Sequence, residues 1–328
     1  MTVRIATVLG DPGGVGPELI ARLLAQNGNQ DRAQMVVIAD PGEWETAMRM
    51  ADVEIPYRSI AEASEIGGTD GVLLLEHPAG QEFVRAAPSA EAGRYCLDIL
   101  QRALDLTRDG VTHGLLFAPL NKTSLYRAGL QFEDESQWFA HVLDIKGPHG
   151  ELNVLDNLWT TRVTSHVALK DVAALITHER ILSAIRLAYD AVLAAGIGEP
   201  RIAVCGLNPH NGDNGAFGME EIEIIAPAVE AAIGLGFPVV GPFPADTVFL
   251  KAKDYDAIVT MYHDQGQIAL KLLGFSRGVT VHGGLPIPVV TPAHGTAFDL
   301  FGRNQANLGA MQAAFDICLS MASARLAG

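Results

Sequence analysis

The sequence predicts an α/β protein built on a largely parallel sheet. Two observations carry this. Short β-rich runs alternate with longer runs of helical periodicity along the whole chain. The 328 residues are 48% hydrophobic and only 19% charged, which is ample material for a large core and argues against disorder. At roughly 100–200 residues per domain, the length suggests about two domains. No internal repeat, low-complexity stretch or linker is present. Two domains are therefore expected to be joined by crossing strands rather than by a flexible hinge.

The elements follow in order. A strand at 3–9 leads into a helix at 17–24, and a strand at 35–39 into a helical stretch at 43–50. Strands at 72–75 and 114–117 flank a long helix at 90–106, and the second of them ends at Ala118-Pro119. The second half opens with a strand at 162–165. An amphipathic helix at 178–195 follows, with Ile181, Ile185, Ala188 and Val192 on one stripe, Thr177 as its N-cap and Gly196 as its stop. After a strand at 201–205 comes a helix at 219–233. It carries Glu220, Glu221 and Glu223 in its first turns, where the dipole favours acids, and Pro227 is expected to kink it. A strand at 257–261, a helix at 266–273 and a closing helix at 308–322 complete the series.

Charge and cysteine content exclude several classes. A net charge of −15 disfavours nonspecific binding to nucleic acid, although a locally basic site still suits an anionic substrate. Cys96, Cys205 and Cys318 are widely spaced and form no CxxC, so neither a disulfide framework nor a zinc–cysteine site is indicated. They read as buried thiols in a reducing compartment. The start, Met-Thr-Val-Arg-Ile-Ala-Thr-Val-Leu, is interrupted too soon by Gly10-Asp11-Pro12 for a signal peptide. No run of about 18 apolar residues is present, so no membrane span is expected. The expected location is cytoplasmic.

Three of the histidines share one context. His166, His210 and His263 each fall just past the C-terminal end of a β run. That is the edge where open α/β sheets bind ligands. Three neutral imidazoles around an open position suit a divalent ion such as zinc. A histidine at a strand end is more often plain structure, and spacing alone does not decide between the two. The segment from Gly10 to Glu18 is a glycine-rich strand-to-helix turn resembling an anion-binding loop, or equally a tight turn with Pro17 at the helix start. It is not a GxGxxG fingerprint. Lys122 and Lys271 can meet an acidic substrate or simply be solvated. Asp246 sits in a loop after Pro244-Ala245. His294-Gly295-Thr296 precedes a short helix and can hold a cofactor or cap that helix.

Together these segments resemble the 4-hydroxythreonine-4-phosphate dehydrogenase family of vitamin B6 biosynthesis. The resemblance runs nearly end to end. It is most specific in Cys-Gly-Leu-Asn-Pro-His at 205–210 and Tyr-His-Asp-Gln-Gly at 262–266. The resemblance implies an isocitrate/isopropylmalate dehydrogenase-like fold of two α/β domains with a cleft between them. Residues 1–125 with 275–328 would form the cofactor side, and 126–274 the dimerisation and metal/substrate domain. It implies a homodimer with a shared site, in which His166, His210 and His263 are the metal ligands and one of them comes from the partner subunit. It implies NAD and one divalent ion (Zn, Co, Mg or Mn), with neither nucleic acid nor membrane as a partner. Asp246, Lys122 and Lys271 match polar positions around a small acidic substrate and are the candidate catalytic groups. His294, Gly295, Thr296 and Ala297, with Gly302, Arg303 and Asn304, match the cofactor side. The implied reaction oxidises a secondary alcohol beta to a carboxylate, and the β-keto acid then loses carbon dioxide.

The chain departs from the family at the substrate's phosphate end. A His-Thr pair of typical members reads Glu135-Ser136 here, an Asn falls at Thr280, and an Arg falls at Val289. Replacing Arg by Val removes a bidentate phosphate donor, and Glu135 adds a carboxylate where a dianion would lie. With Lys271 retained, these positions predict a substrate site that handles a phosphorylated compound poorly. A catabolic paralogue acting on an unphosphorylated hydroxy acid or a carboxylated cis-diol is one alternative. A metal-dependent hydrolase without nucleotide is a second, and a nucleotide-binding sensor without turnover is a third.

Overall fold

The computed structural model describes residues 2–26, 28–68 and 71–327. Among them are the strands β1 (Arg4–Val8), β2 (Gln34–Ala39), β3 (Tyr57–Ile60), β4 (Val72–Glu76), β5 (Gly114–Phe117), β6 (Gly150–Leu155), β7 (Leu158–Arg162), β8 (Ile202–Cys205), β9 (Val239–Phe243), β10 (Ala257–Thr260), β11 (Val279–Gly283) and β12 (Val289–Pro292). The chain divides into two compact units, Met1–Ile145 with Leu285–Gly328, and Lys146–Gly284. The sequence boundaries at 125 and 274 therefore shift to 145 and 284. The reason is packing. Phe139 stacks edge-on against Phe117 of β5 at 5.7 Å between ring centroids, so the helix Glu135–Val142 belongs to the first unit's core. At the other boundary β11 pairs antiparallel with β6 and stays with the second unit.

In the first unit the strands lie in the order β3-β4-β2-β1-β5-β12, all parallel where paired. Their apolar residues, among them Ala6, Val36, Leu73 and Phe117, pack with Ile99 and Leu104 of the helix Ala90–Arg108. β3 is not anticipated from the sequence. It is a four-residue edge strand, Tyr-Arg-Ser-Ile, whose two middle residues face solvent, so it carries no apolar signal.

In the second unit the order is β11-β6-β7-β10-β8-β9. β6 is antiparallel to both of its neighbours, and the remaining pairs are parallel. The strand expected at 162–165 is instead β7, which ends at Arg162. It forms a hairpin with β6 through Asp156-Asn157, with Asp156 at φ 53°. Residues 163 and 164 still donate their amides to Thr260 and Met261, which extends the strand-like reading past the true end. The helix expected at 219–233 opens as a π-turn, Glu221–Ile225, and becomes α-helical only at Ala226–Gly234. Pro227 lies in the first turn of that α segment, where its missing N–H costs least. The helix His178–Ala194 has the four predicted stripe residues buried, Thr177 accepting from the Arg180 amide, and Gly196 at φ 94° beyond its end.

The three cysteines are free and buried. Burial pushes the Cys205 thiol up to about 12 and raises the other two as well. Among the described residues no helix is long and apolar enough to cross a membrane.

Candidate active site

In the second unit, the ends of β7 and β10 bring two of the predicted histidines together. His166 follows β7 at φ 39°, in the left-handed region that side chains other than glycine rarely adopt. His263 begins the helix His263–Gly274, which starts earlier than the sequence pattern suggests. The two imidazole centroids are 5.9 Å apart. They line a cavity of about 450 Å³ with Thr164, Ser165, Tyr262 and Asp264. His263 Nδ1 lies 2.7 Å from Asp264 Oδ1. A carboxylate beside Nδ1 is the arrangement that orients an imidazole whose Nε2 binds a metal.

His210 sits in a different kind of loop. His210, Asn211, Gly212, Asp213 and Asn214 run consecutively at positive φ, from 42° to 78°. A left-handed turn costs roughly 1–2 kcal/mol per ordinary L-residue, and Asn, Asp and Gly are the types that tolerate it. The buried carboxylate of Glu221 braces this loop from the π-turn. Its Oε1 accepts the amides of Leu207 and Asn208 at 2.7 and 2.6 Å, and its Oε2 accepts from Asn208 Nδ2 at 2.9 Å. His210 lines a cavity of about 620 Å³ with Asp246, Tyr262, Asp264 and Gln265. Tyr262, Asp264 and Ile268 line both cavities. Gln265 ties the two strand ends together: its Oε1 accepts from Met261 N at 2.7 Å and its Nε2 donates to Gly206 O at 3.0 Å. Among the described residues no three His, Cys, Asp or Glu side chains converge into a complete metal ligand set.

Lys271 and Thr280 also lie in this unit. Lys271 is exposed in the last turn of the helix His263–Gly274. Thr280 is nearly buried in β11 and accepts from Asn153 Nδ2 at 3.3 Å.

The other predicted residues belong to the first unit. Lys122 is exposed at the start of the helix Lys122–Arg127, whose N-cap is Asn121. Glu135 is the first residue of the helix Glu135–Val142, capped by Asp134. Ser136 follows it, 1% exposed, with its Oγ buried and lacking a hydrogen bond. Val289 is fully buried in the core of this unit. It is thus a packing residue in β12, and the sequence reading that puts it among substrate-touching positions is corrected accordingly.

The glycine-rich turn is a packing junction. The amides of Gly13, Gly14 and Val15 are donated to Asp11 Oδ1, Asp11 O and Thr296 O, so they are not aimed at an anion. A Cβ on Gly14 would stand 2.8 Å from Thr296 Cβ, which explains a glycine there. The segment His294, Gly295, Thr296 and Ala297 is thereby buttressed, with Ala297 at φ 42°. Asn304 is anchored through its amide to Glu18 Oε2 and through Nδ2 to Ala51 O.

Sequence reasoning misses Glu221 and Gln265 as site residues. In the sequence Glu221 is one of three acids favoured by a helix dipole. The signal that sets it apart is the neighbouring Asn-Gly-Asp-Asn-Gly run at 211–215, which needs an outside brace.

The profile of the pyridoxal phosphate biosynthetic protein PdxA matches residues 31–318. A Pseudomonas aeruginosa protein named as a candidate 4-hydroxythreonine-4-phosphate dehydrogenase 2 is 56% identical over 326 residues, covering 97% of this chain and 96% of that one. A D-threonate 4-phosphate dehydrogenase of Salmonella typhimurium is 35% identical over 330 residues, covering 98% and 99%. The crystal structure of 4-hydroxythreonine-4-phosphate dehydrogenase from Klebsiella pneumoniae superposes with a TM-score of 0.87 at 33% identity, covering 98% of both chains. In fold alone, a β-decarboxylating dehydrogenase from Thermococcus kodakarensis is also similar, with a TM-score of 0.52 at 14% identity, covering 96% and 82%. The matching profile, the identities along almost the full length and the shared fold lead to one conclusion: the chain belongs to the family of the pyridoxal phosphate biosynthetic protein PdxA, whose relatives named here are dehydrogenases.

Proposed function

We propose that this protein is a cytoplasmic, NAD-dependent and divalent-metal-dependent dehydrogenase that oxidises a secondary alcohol beta to a carboxylate, with loss of carbon dioxide from the β-keto acid. The observation that carries the reading is the His166–His263 pair, with His210 and Asp246 together in the neighbouring cavity. The donor set fits a divalent ion. Two imidazoles are adjacent, one of them oriented by a carboxylate, and imidazole ligation favours Zn²⁺ or Co²⁺ over Mg²⁺ or Mn²⁺. A two-plus-one division of the histidines within one chain supports a homodimer in which the partner subunit completes the ligand set.

A bound divalent ion supplies Lewis-acid polarisation of a substrate oxygen, and bound NAD takes up the hydride. The chain's own groups do the rest. Asp246 shares its cavity with His210 and is the favoured base for the alcohol proton, with Lys122 and Lys271 as the other candidates. His294, Gly295, Thr296, Ala297 and Asn304 form the proposed cofactor side, with Thr296 packed against Gly14 and the Asn304 amide donated to Glu18.

A second reading concerns the substrate. Three of the relatives above are named as dehydrogenases of phosphorylated compounds. Here Glu135, Ser136 and Thr280 stand where the resemblance places phosphate-binding types, which favours an unphosphorylated hydroxy acid or cis-diol carboxylate. NAD reduction by the metal-loaded protein, with 4-phosphohydroxy-L-threonine beside unphosphorylated hydroxy acids and diol carboxylates, tests both readings. EDTA-sensitive turnover of an unphosphorylated acid alone supports the paralogue. Efficient turnover of the phosphorylated compound overturns the phosphate argument and retains the dehydrogenase. Absence of NAD binding by calorimetry turns the assignment towards a hydrolase.

A further inference from the structure

The β11-β6-β7 register builds a polar face of which the proposed reaction uses Thr280 alone. Thr280 opposes Asn153, and Asn153 opposes Thr160. His282 opposes Glu151 one row further along. Side chains directly opposite in antiparallel strands share a face. Arg162 closes this face at the end of β7, with its side chain only 7% exposed.

A buried guanidinium is costly unless its donors are matched. Here all three nitrogens have separate partners. Nε donates to Ser165 Oγ at 2.7 Å, Nη1 to Asn153 Oδ1 at 3.0 Å, and Nη2 to Glu151 Oε2 at 2.8 Å. The same Asn153 Oδ1 also accepts from Gln267 Nε2. Two of these partners adjoin the histidine pair. Ser165 immediately precedes His166, and Gln267 lies one helical turn after His263 on the same helix. The guanidinium and the Asn153 amide thus bridge the two histidine-bearing segments from beneath.

We propose that Arg162, acting through Asn153 and Gln267, is a positioning residue that fixes the spacing and orientation of the His166–His263 imidazole pair for a divalent cation. It rests on the metal-site reading above. Glu151 neutralises the guanidinium, so the bracket acts by geometry and adds little net charge to the site. Groups hydrogen-bonded directly to a ligating imidazole typically change metal affinity by about 10–100-fold when removed, and Arg162, which stands further out, belongs at the lower end of that range.

The test titrates Co²⁺ into the metal-free full-length protein, followed by calorimetry and visible absorption. The imidazole ¹⁵N signals of the metal-free protein are recorded in parallel and assigned with His166→Gln and His263→Gln. Arg162→Met is expected to weaken Co²⁺ binding by about tenfold or more and to alter the visible spectrum. Arg162→Lys keeps the charge beside Glu151 but cannot reach Ser165 and Asn153 together, so its affinity should fall between. Gln267→Met removes only the helix-side link and leaves the Arg162–Glu151 pair intact. It should give a smaller loss and shift the His263 signals. If Arg162→Met does not fold, Gln267→Met and Asn153→Leu decide the question in its place. Folded variants with wild-type affinity, spectrum and imidazole signals overturn the proposal. If the wild-type protein binds no Co²⁺, the metal reading falls, and the imidazole signals alone then decide the bracket: moved signals uphold it and unmoved signals overturn it.

Discussion

At the scale of single residues, Asp11 is the group whose surroundings contrast most with its chemistry. Its Oδ1 accepts the Gly13 amide, its Oδ2 is buried without a hydrogen bond, and its own amide donates to Pro119 O. Burial pushes its carboxyl above the usual carboxylate range, opposed only in part by the Gly13 amide, the Ser124 hydroxyl and the Arg85 guanidinium. A group whose pKa is raised by folding stabilises the fold most below its unfolded pKa and loses that contribution as pH rises through the folded value. The melting temperature of the wild type minus that of Asp11→Asn should therefore fall as pH rises from about 4 towards neutrality. Parallel melting curves across that range would refute the account. The thiols give a simpler residue-scale expectation. Cys96, Cys205 and Cys318 are all buried, so a thiol reagent should leave the native protein unlabelled and modify all three after unfolding in denaturant.

At the scale of elements, the loop that carries His210 depends on a brace from another element. Glu221 accepts two backbone amides and one side-chain amide of that loop. Hydrogen bonds to a charged group contribute about 1.5–3 kcal/mol each when buried partners are left unmatched. Glu221→Gln is expected to lower unfolding stability by an amount on the order of 2 kcal/mol, read by urea denaturation. It should also loosen the 207–214 loop, read by faster amide exchange there. Unchanged exchange with unchanged stability would remove Glu221 from the site. This pairing also explains what the sequence could and could not disclose. The placement of the three histidines after strands is legible because a β run followed by a loop is a local pattern. Glu221 and Gln265 are not, because a helix-start glutamate or a helical glutamine looks like solvated surface, and only the fold brings them to Leu207, Asn208 and Gly206. The β6–β7 hairpin is a different case. Glu151 and Asn153 alternate with the buried Leu152 and Val154, the pattern of a half-buried strand. What that alternation does not disclose is that the polar members meet Arg162 of β7.

At the scale of the whole molecule, the alternation of strands and helices identifies the fold class. The unit boundaries are harder, because they depend on which core a segment joins. Residues 126–145 read as a fresh start after the Lys122 helix, yet Phe139 commits them to the first unit. Surface composition then bears on the proposed homodimer. Leu169, Ile268 and Leu272 of the second unit are 72%, 58% and 83% exposed, and each lines one or both of the histidine cavities. Large apolar side chains around a polar site are an unusual surface for a monomer and suit a covered interface. Fully burying one leucine contributes about 1.5–3 kcal/mol, and an aspartate in its place adds a desolvation cost. Leu272→Asp is therefore expected to move the protein from dimer to monomer in analytical ultracentrifugation. If the ligand set is shared between subunits, divalent-metal affinity should fall in step with dimer dissociation and recover at protein concentrations that restore the dimer. A Leu272→Asp monomer that binds metal as tightly as the wild type would show that one chain suffices, and the shared site would have to be abandoned.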